Sequence, residues 1–431
     1  MIEGPTIVVT ILLVIAVLSV PRKYFLVPYI FATCFLPADQ RVIIFTLDFT
    51  PLRILIVAGV LRIFLRNEEE VIKWNKFDKL LLGWAICGAI VYVIQWGDMR
   101  AFIYKCGILF DIIGLYWLFR QSIRSWSDIK FVVKIFALCA ILMVPWVAIE
   151  KVTAKNLFIF LGSRVRTSFR EGNFRCQAAF PHSIIFGVFW ANLIPIFIAS
   201  AIAGHRKSLY WIAVLAGIFM VWTSASSTPY GTLIATLGLF MLFPYRRYGK
   251  LIALGIFGQL AALHIVMKAP VWHLLARIKF VSGSSGHHRY RLIDATFNHF
   301  REWALLGTRS TAHWGYYLFD VTNKYCAEGV KGGLVTLILF VIVLITAVRT
   351  VGRYSLQNIS REQQWLAWGI CVSMLGHCIS FIGVSYFGQI HMLLYLTFAM
   401  VSFSYGETLK VQNAHLLMAV QRVEFLQPTI A

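Results

Sequence analysis

Basic side chains are concentrated in two long polar segments of this 431-residue chain, residues 151–182 and 268–331. Because an arginine stays charged and forks onto phosphate oxygens, this concentration predicts a pocket for a polyanionic ligand such as a phosphate. The alternative is a basic surface that touches anionic lipid headgroups. The basic residues of the two segments are Lys151, Lys155, Arg164, Arg166, Arg170, Arg175, Lys268, Arg277, Lys279, Arg289, Arg291, Arg301, Arg309, Lys324 and Lys331.

Familiar catalytic motifs are missing from the sequence. It contains no phosphate-cradling P-loop, no HExxH, no GxSxG and no CxxC pair. The two polar segments contain no DxD or DxE pair, so a metal-bound pyrophosphate is not indicated. His287 and His288 are adjacent and would not share a helix face, and no further ligand has a suitable spacing. We therefore expect neither a metal nor a cofactor.

The composition is that of a membrane protein. Hydrophobic residues make up 59% of the chain and charged residues 14%, with a mean hydropathy of +0.73. These values exclude a soluble globule, a disordered chain and a disulfide-rich secreted module. The apolar runs are too long for the alternating strands of an outer-membrane barrel. The sequence predicts an all-α polytopic membrane protein with about 12–13 transmembrane helices, since each span takes about 20 residues. The runs are 6–20, 24–37, 49–65, 77–96, 101–119, 130–150, 183–203, 209–223, 229–244, 250–267, 332–349, 363–384 and 388–406.

The short connections set the predicted orientation. Basic residues occur in alternate connections, which the positive-inside bias assigns to the cytoplasm. The N-terminus and both long polar segments then lie outside, and the C-terminal tail lies inside. The predicted division is 1–150 for the N-terminal helices, 151–182 for the first outer loop, 183–267 for the central helices, 268–331 for the large outer loop, 332–408 for the C-terminal helices and 409–431 for the tail.

The large outer loop is predicted to contain an amphipathic helix. Apolar residues recur at helical spacing from Arg289 to Ala304, and the flexible sequence SGSSG, Ser282–Gly286, precedes them. We expect this helix to lie along the membrane surface and to roof a cavity. Its apolar face is Tyr290, Ile293, Phe297, Phe300 and Ala304.

Isolated polar residues inside the apolar runs are expensive unless they are paired or used. Arg53 and Asp111 are expected to pair with each other. His264, His377 and His391 are either paired within the bundle or functional, and the last two are candidates for lining one cavity. Two loop cysteines, Cys176 and Cys326, either form a disulfide or remain free thiols, and free thiols are favoured.

Four segments taken together resemble a known family. They read FRCQAAFPHSIIFGVFWANLIPI from Phe174, WTSASSTPYG from Trp222, GHHRYRLIDATFNHFREWALLGTRS from Gly286 and TNKYCAEGVKGGLVTLILF from Thr322. In their order and spacing they resemble the O-antigen ligase and O-antigen polymerase superfamily. Its members are GT-C-type glycosyltransferases of the bacterial inner membrane that act on the periplasmic side.

The resemblance covers about residues 160–345 and carries specific positions. Arg175 matches the family arginine before the first motif, and His182 belongs to that motif with Pro-His in place of His-Pro. Arg289 matches the arginine of the large loop, and Asn323 and Tyr325 match an N-x-Y pattern. The sequence departs from the family in two places. Thr322 stands where many members have a histidine, and Ser227-Thr228-Pro229 replaces a stretch with an arginine.

The resemblance implies a metal-independent, inverting transfer. The donor would be an oligosaccharide on undecaprenyl pyrophosphate, and Arg175, Arg289 and Arg291 would bind the pyrophosphate. His313 is the first candidate for the general base, with Asp320, Glu328 and Glu171 behind it. The other expected substrate-binding residues are Arg164, Arg166, Arg170, His182, Asn323, Tyr325 and Arg309.

The two departures favour a polymerase of O-antigen or exopolysaccharide units over a ligase that transfers glycan to lipid A core. A flippase for the same lipid-linked donor is the alternative from another class, and a non-catalytic scaffold is a third. Expected partners are the lipid-linked glycan, membrane lipid and a chain-length regulator protein. No nucleic acid is expected.

Overall fold

The computed structural model describes the backbone of residues 2–44, 47–164, 166–278, 280 and 286–426, and the side chains of all of these except 44 and 412–426. Lys279 and residues 282–285 of the predicted flexible sequence lie outside the described residues. The described chain forms helices α1–α16 in chain order. They are Gly4–Ser19, Val27–Phe35, Pro51–Leu65, Lys76–Trp96, Met99–Ser122, Trp126–Thr153, Ser183–Ala203, Lys207–Thr223, Ser227–Met241, Gly249–Val266, Leu274–Arg277, Gly286–Asn298, Phe300–Trp303, Lys324–Tyr354, Arg361–Gly383 and Ile390–Leu426.

Two short antiparallel hairpins interrupt the helices. Strands β1 and β2, Val42–Ile44 and Leu47–Phe49, precede α3. Strands β3 and β4, Ser168–Arg170 and Asn173–Arg175, lie in the connection from α6 to α7. The second hairpin is the one that presents Arg175.

Every predicted apolar run is a helix, and the prediction of a polytopic all-α membrane protein is confirmed. Among the described residues, seven helical segments are long and apolar enough to cross a membrane. This is fewer than the predicted 12–13 spans, because several helices are short. Helix α2 has nine residues. At about 1.5 Å per residue it covers roughly half of the hydrocarbon thickness.

Helices α7 and α15 form the centre of the bundle. Helix α7 is apolar on all sides, as expected for a helix buried all round. It packs against α8, α9 and α15. A Cβ atom at Gly369 of α15 would lie 2.8 Å from the Ala199 Cβ, so α15 approaches α7 closely only because it carries glycine there.

Helix α14 begins eight residues before the predicted run and breaks at Gly333, where φ is +73°. Hydropathy placed its first turns in the loop because they carry Lys324, Glu328 and Lys331. The break admits the end of the large loop, since Leu334 N–H donates to the Ala304 carbonyl at 2.8 Å. A Cβ at Gly333 would lie 2.3 Å from the Leu305 carbonyl oxygen, so glycine is required.

The predicted pair between Arg53 and Asp111 is confirmed. The Arg53 Nε and Nη2 atoms donate to the two carboxylate oxygens of Asp111 at 2.8 and 2.7 Å. Asp48, in β2, is a second carboxylate partner of the same guanidinium. The group joins the start of α3 to the middle of α5 and to the first hairpin.

The starts of α7, α9 and α14 lie at the same end of the bundle as the ends of α8 and α15. We call it the outer end, after its predicted orientation.

If that orientation is correct, Lys155→Cys will react with a membrane-impermeant maleimide in intact spheroplasts, because Lys155 is exposed beyond α6. Arg247→Cys, exposed at the opposite end, will react only after permeabilisation. Wild-type protein controls for the native cysteines, and the reverse pattern would place the outer end in the cytoplasm.

Candidate functional site

Two of the predicted arginines converge on the first turn of α9. The Arg175 Nη2 atom donates to the Ser226 hydroxyl at 2.6 Å, and Ser226 is the residue before the helix. The Arg289 Nη2 atom donates to the Thr228 hydroxyl at 2.8 Å, and its Nε atom donates to the Gly383 carbonyl at 3.3 Å. The structure thus brings together two arginines that are more than a hundred residues apart in sequence. We call this group the arginine site.

A second helix N-terminus adjoins the arginine site. The Ser183 hydroxyl, at the start of α7, lies 3.4 Å from the Ser226 hydroxyl. A Cβ at Gly187 would lie 2.6 Å from both the Pro229 side chain and the Ser224 hydroxyl, so the first turns of α7 and α9 pack closely because residue 187 is glycine. Helix N-termini carry free N–H groups and partial positive charge. Their adjacency adds to the positive charge of the arginines.

The first turn of α9 has no side-chain cap. Ser226 occupies the capping position, but its hydroxyl donates to the Ser224 carbonyl and accepts from Arg175 instead. Pro229 has no N–H group and the Tyr230 N–H donates to the Ser226 carbonyl, so the N–H groups of Ser227 and Thr228 are the two in this turn that are free to bind an anion. This is the arrangement expected of a phosphate site at a helix start.

Arg175 is buried, and part of its guanidinium group makes no hydrogen bond within the described residues. The residue is 8% exposed, and within the described residues its Nε atom has no hydrogen-bond partner. Burial lowers the pKa of Arg175, and the charge of Arg170 acts in the same direction. In the part of the chain that the structure describes, neither Arg175 nor Arg289 has a carboxylate at ion-pairing distance. A buried cation without a counter-charge is costly, so the site favours an anionic ligand.

The second hairpin aims Arg175 at the site. Glu171 and Gly172 form its turn with φ of +45° and +81°, which suits a two-residue hairpin turn. Beyond the hairpin, Cys176 N–H donates to the carbonyl of Thr223 at the end of α8, at 3.0 Å. The arginine side chain is thus fixed by the backbone on either side of it.

The buried carboxylate of Glu150 holds the next two residues. It accepts the N–H groups of Gln177 and Ala178 at 3.1 and 3.0 Å. Glu150 is 1% exposed and belongs to α6. Helices α6 and α8 therefore both anchor the segment that carries Arg175.

His182 is a neutral donor in this site. Its Nδ1 atom accepts the Ile184 N–H at 3.1 Å, which caps α7 and assigns the proton to Nε2. Burial, and then the charge of Arg175, lower the pKa of His182 to about 4, while the carboxylate of Asp320 opposes the shift. At neutral pH the imidazole can donate one hydrogen bond from Nε2, which suits phosphate binding better than proton abstraction.

Arg289 is presented by α12, which packs on a small separate core in the large loop. The predicted amphipathic helix is present, but it ends at Asn298 and a short helix, α13, follows. The predicted apolar face is wrong. The buried residues are Leu292, Ala295 and Thr296, while Phe297 is 59% exposed. Periodicity alone could not distinguish a face that packs on the loop from one that is left outside it.

His313 is not brought to the arginine site. It is exposed, and its Nε2 atom lies 2.8 Å from the Glu302 carboxylate, which also accepts the indole N–H of Trp314 at 2.9 Å. The bond from Trp314, and then that from His313, hold the pKa of Glu302 below its usual range. His313, the first candidate for the general base, is therefore bonded to a residue of the large loop and not to the arginine site.

Three residues that were predicted to bind substrate instead form hydrogen bonds with backbone groups of the protein. Asn323 caps α14 by accepting the Cys326 N–H and donates to the Ile382 carbonyl. The Tyr325 hydroxyl donates to the Cys378 carbonyl at 2.9 Å. Arg309 donates to the carbonyls of Gln95 and Trp96 at the end of α4. The first two tie α14 to the end of α15, whose last carbonyl binds Arg289, so their role is to position the site.

The remaining predicted arginines lie outside the arginine site. The Arg164 side chain is 68% exposed and lies 3.8 Å from Glu3. Arg166 and Arg170 are also exposed, as expected for residues that guide a ligand or contact lipid. The Arg291 guanidinium packs beside Gly315. Cys176 and Cys326 are buried free thiols, as favoured from the sequence.

Sequence reasoning missed the hydroxyl residues of the site. The WTSASSTPYG stretch lacks the family arginine, yet its Ser226 and Thr228 are the partners of Arg175 and Arg289. The available signal was the accumulation of serine and threonine at the predicted start of a span. Such residues are either helix caps or ligand groups, and spacing does not separate the two.

Comparison with known proteins identifies no relative, since no family model, no curated protein and no solved structure matches this chain. A functional proposal therefore rests on the residues of the site and their geometry.

The His182 cap predicts a pH dependence of stability. The pKa of this imidazole is about 4 in the folded chain against about 6.5 in an unfolded one, so the unfolded state binds more protons between these values. Stability should fall as the pH drops from 6.5 to 4. His182→Asn keeps a capping acceptor and removes the titration, so its thermal midpoint should fall less over this range. The exposed His313→Asn is the matched control, and equal falls in wild type and His182→Asn would refute the assignment.

Proposed function

We propose that this chain is a GT-C-type membrane glycosyltransferase that elongates a glycan carried on a polyprenyl pyrophosphate. The observation that carries the proposal is the arginine site, where two arginines share the start of α9 beside the start of α7 and no carboxylate of the described residues lies at ion-pairing distance from them. Pyrophosphate is the anion that such a site suits, because it offers several oxygens to guanidinium groups and to helix N–H groups. The resemblance to O-antigen polymerases and ligases agrees with this ligand.

The arginine site would stabilise the leaving group. In the proposed transfer, an acceptor sugar hydroxyl forms a new bond to C1 of the donor sugar from the face opposite the pyrophosphate. The bond between C1 and the pyrophosphate oxygen breaks, and its electron pair leaves with that oxygen. Arg175, Arg289 and the Nε2–H group of His182 would bind the charge that grows there. Fixed donors aimed at a developing charge contribute about 10²- to 10³-fold in rate each.

Asp320 is the proposed general base that takes the proton of the attacking hydroxyl. Its side chain is exposed in the large loop, and its backbone carbonyl lies 3.3 Å from the Nε2 atom of His288, the residue before Arg289. Glu328, in contrast, is engaged by Lys324 at 2.6 Å and by the indole of Trp84 at 2.9 Å. Glu171 occupies the turn of the second hairpin. Asp320 is thus the carboxylate with the best access to the site.

An enzyme fits the site better than a flippase does. Both arginines and both helix starts lie at one end of the bundle, whereas a flippase needs its cations in a cavity that opens to both faces. We place the activity at the outer face of a bacterial inner membrane, following the predicted orientation. A polymerase is favoured over a ligase because Thr322 stands where ligases often carry a histidine.

The proposal predicts a specific pattern of activity in lipid nanodiscs supplied with undecaprenyl-pyrophosphate-linked repeat units from the natural host. Wild type should produce a ladder of lengthened glycan on a gel. Arg289→Ala should reduce the rate by about 10²- to 10³-fold. Arg289→Lys, which keeps the charge and loses the fork, should fall between them. Arg301→Ala, an exposed arginine of the same loop, is the matched control and should stay within about twofold of wild type.

Two readouts keep this test decisive. A monodisperse elution profile for each variant separates lost activity from lost folding. If wild type binds the donor and makes no ladder, the polymerase proposal is wrong. Transfer to lipid A core would then identify a ligase, and movement of intact donor between leaflets would identify a flippase.

A further inference from the structure

A cavity of about 440 Å³ lies between α3, α4, α5 and α14 at the outer end of the bundle. Its deeper walls are apolar, and its rim is charged. The residues that form the deeper walls include Ala85, Gly88, Ala89, Ile108, Ile112 and Leu115. Ligand pockets are commonly about 300–1,000 Å³, so this volume suits a headgroup and the first part of a chain.

Some of the basic residues at the rim of the cavity have carboxylate partners and others do not. Arg53 is neutralised by Asp48 and Asp111, and Lys324 is neutralised by Glu328 at 2.6 Å. Two further rim lysines, Lys105 and Lys331, have no carboxylate at ion-pairing distance in the described part of the chain. We call this space the lysine cavity.

Of the two lysines, Lys105 gives the stronger indication of an anionic ligand. It is half-buried in α5, and its Nζ atom lies 4.4 Å from the centre of the Tyr92 ring, which supplies no counter-charge. Lys331 is exposed at the rim and belongs to α14. Cations at membrane depth are kept only where they are paired or used. An anionic ligand between Lys105 and Lys331 would supply the missing charge.

His391 lines this cavity, and His377 does not, so the prediction that they share one cavity is wrong. His377 is fully buried, and its Nδ1 atom lies 2.7 Å from the Tyr386 hydroxyl. Both residues flank the connection from α15 to α16, residues 384–389. That connection decides how the cavity relates to the arginine site.

The connection 384–389 separates the two sites. The Gly383 carbonyl just before it accepts from Arg289, and Ser385 to Gln389 line the cavity. It is held firmly, since Gln389 Nε2 donates to the carbonyls of Leu36 and Ala179 at 2.9 and 2.8 Å.

We infer that the lysine cavity binds the phosphate group of a second polyprenyl-linked chain, the acceptor, while the arginine site holds the donor. This inference rests on the proposed function, because a polymerase joins two lipid-linked chains and must hold both at once. Lysine binds phosphate as a point charge, and the apolar wall accommodates the first part of the lipid.

Native mass spectrometry of the full chain, released from phosphatidylcholine nanodiscs, would test the inference with undecaprenyl phosphate as the probe. Wild type should bind two equivalents. Lys105→Gln/Lys331→Gln should retain one, and the Kd of the second should rise on the order of tenfold or more. Lys155→Gln/Lys268→Gln removes the same charge from exposed outer lysines and should bind like wild type. The thermal midpoint of the cavity variant should fall little, because the variant loses the cation–π contact of Lys105 with Tyr92 and, in the described part of the chain, no ion pair.

The outcomes separate this inference from the proposed function. If the Lys105/Lys331 variant still binds two equivalents and Arg289→Gln binds only one, the lysine cavity is not a phosphate site. The assignment of the arginine site is then unaffected. Retention of both equivalents by Arg289→Gln would count against the proposed function itself. If phosphatidylglycerol at equal concentration displaces the second equivalent, the cavity holds a bilayer phospholipid, and its assignment to a substrate is wrong.

Discussion

The proposed site depends on positive charge that no carboxylate among the described residues neutralises. Arg175 is buried, Arg289 is half-buried, and both bind hydroxyls at the start of α9 while a second helix start lies beside them. Like charges and aligned dipoles repel, and burial increases the cost because the interior screens less than water. Such an arrangement persists only where the surrounding packing holds the charges in place and a bound ligand offsets their electrostatic cost. We therefore propose an anion with several oxygens as the ligand.

The packing that holds these charges is built from close approaches around α7 and α15. Gly187 lets the first turns of α7 and α9 meet, and a Cβ at Gly383 would lie 2.6 Å from the Thr228 hydroxyl. Asn323 joins α14 to the same end of α15. The arginines thus rest on rigid helix ends, and their hydroxyl partners cannot move apart without breaking the core. A site held in this way is preorganised for charge that develops on a leaving group.

Hydropathy predicted the helices well, because a span must satisfy all its backbone groups internally and exclude charge. It failed at the start of α14, where Lys324, Glu328 and Lys331 line a cavity and so belong to a helix without looking apolar. Motif positions indicated Arg175, Arg289 and Arg291, and the structure brings the first two together at the start of α9. The same reasoning assigned Asn323 and Tyr325 to substrate, although both hold α14 to α15. Which polar group faces a ligand depends on neighbours that are distant in sequence, and a single sequence does not report them.

A double-mutant cycle for pyrophosphate binding tests the central claim most directly. The Kd of undecaprenyl pyrophosphate would be measured in nanodiscs for wild type, Arg175→Gln, Arg289→Gln and the double variant. If both guanidinium groups bind one pyrophosphate, the losses will not add, and the coupling free energy will be on the order of 1 kcal/mol or more. Strictly additive losses, or a Kd that neither substitution changes, would show that the two arginines do not share a ligand.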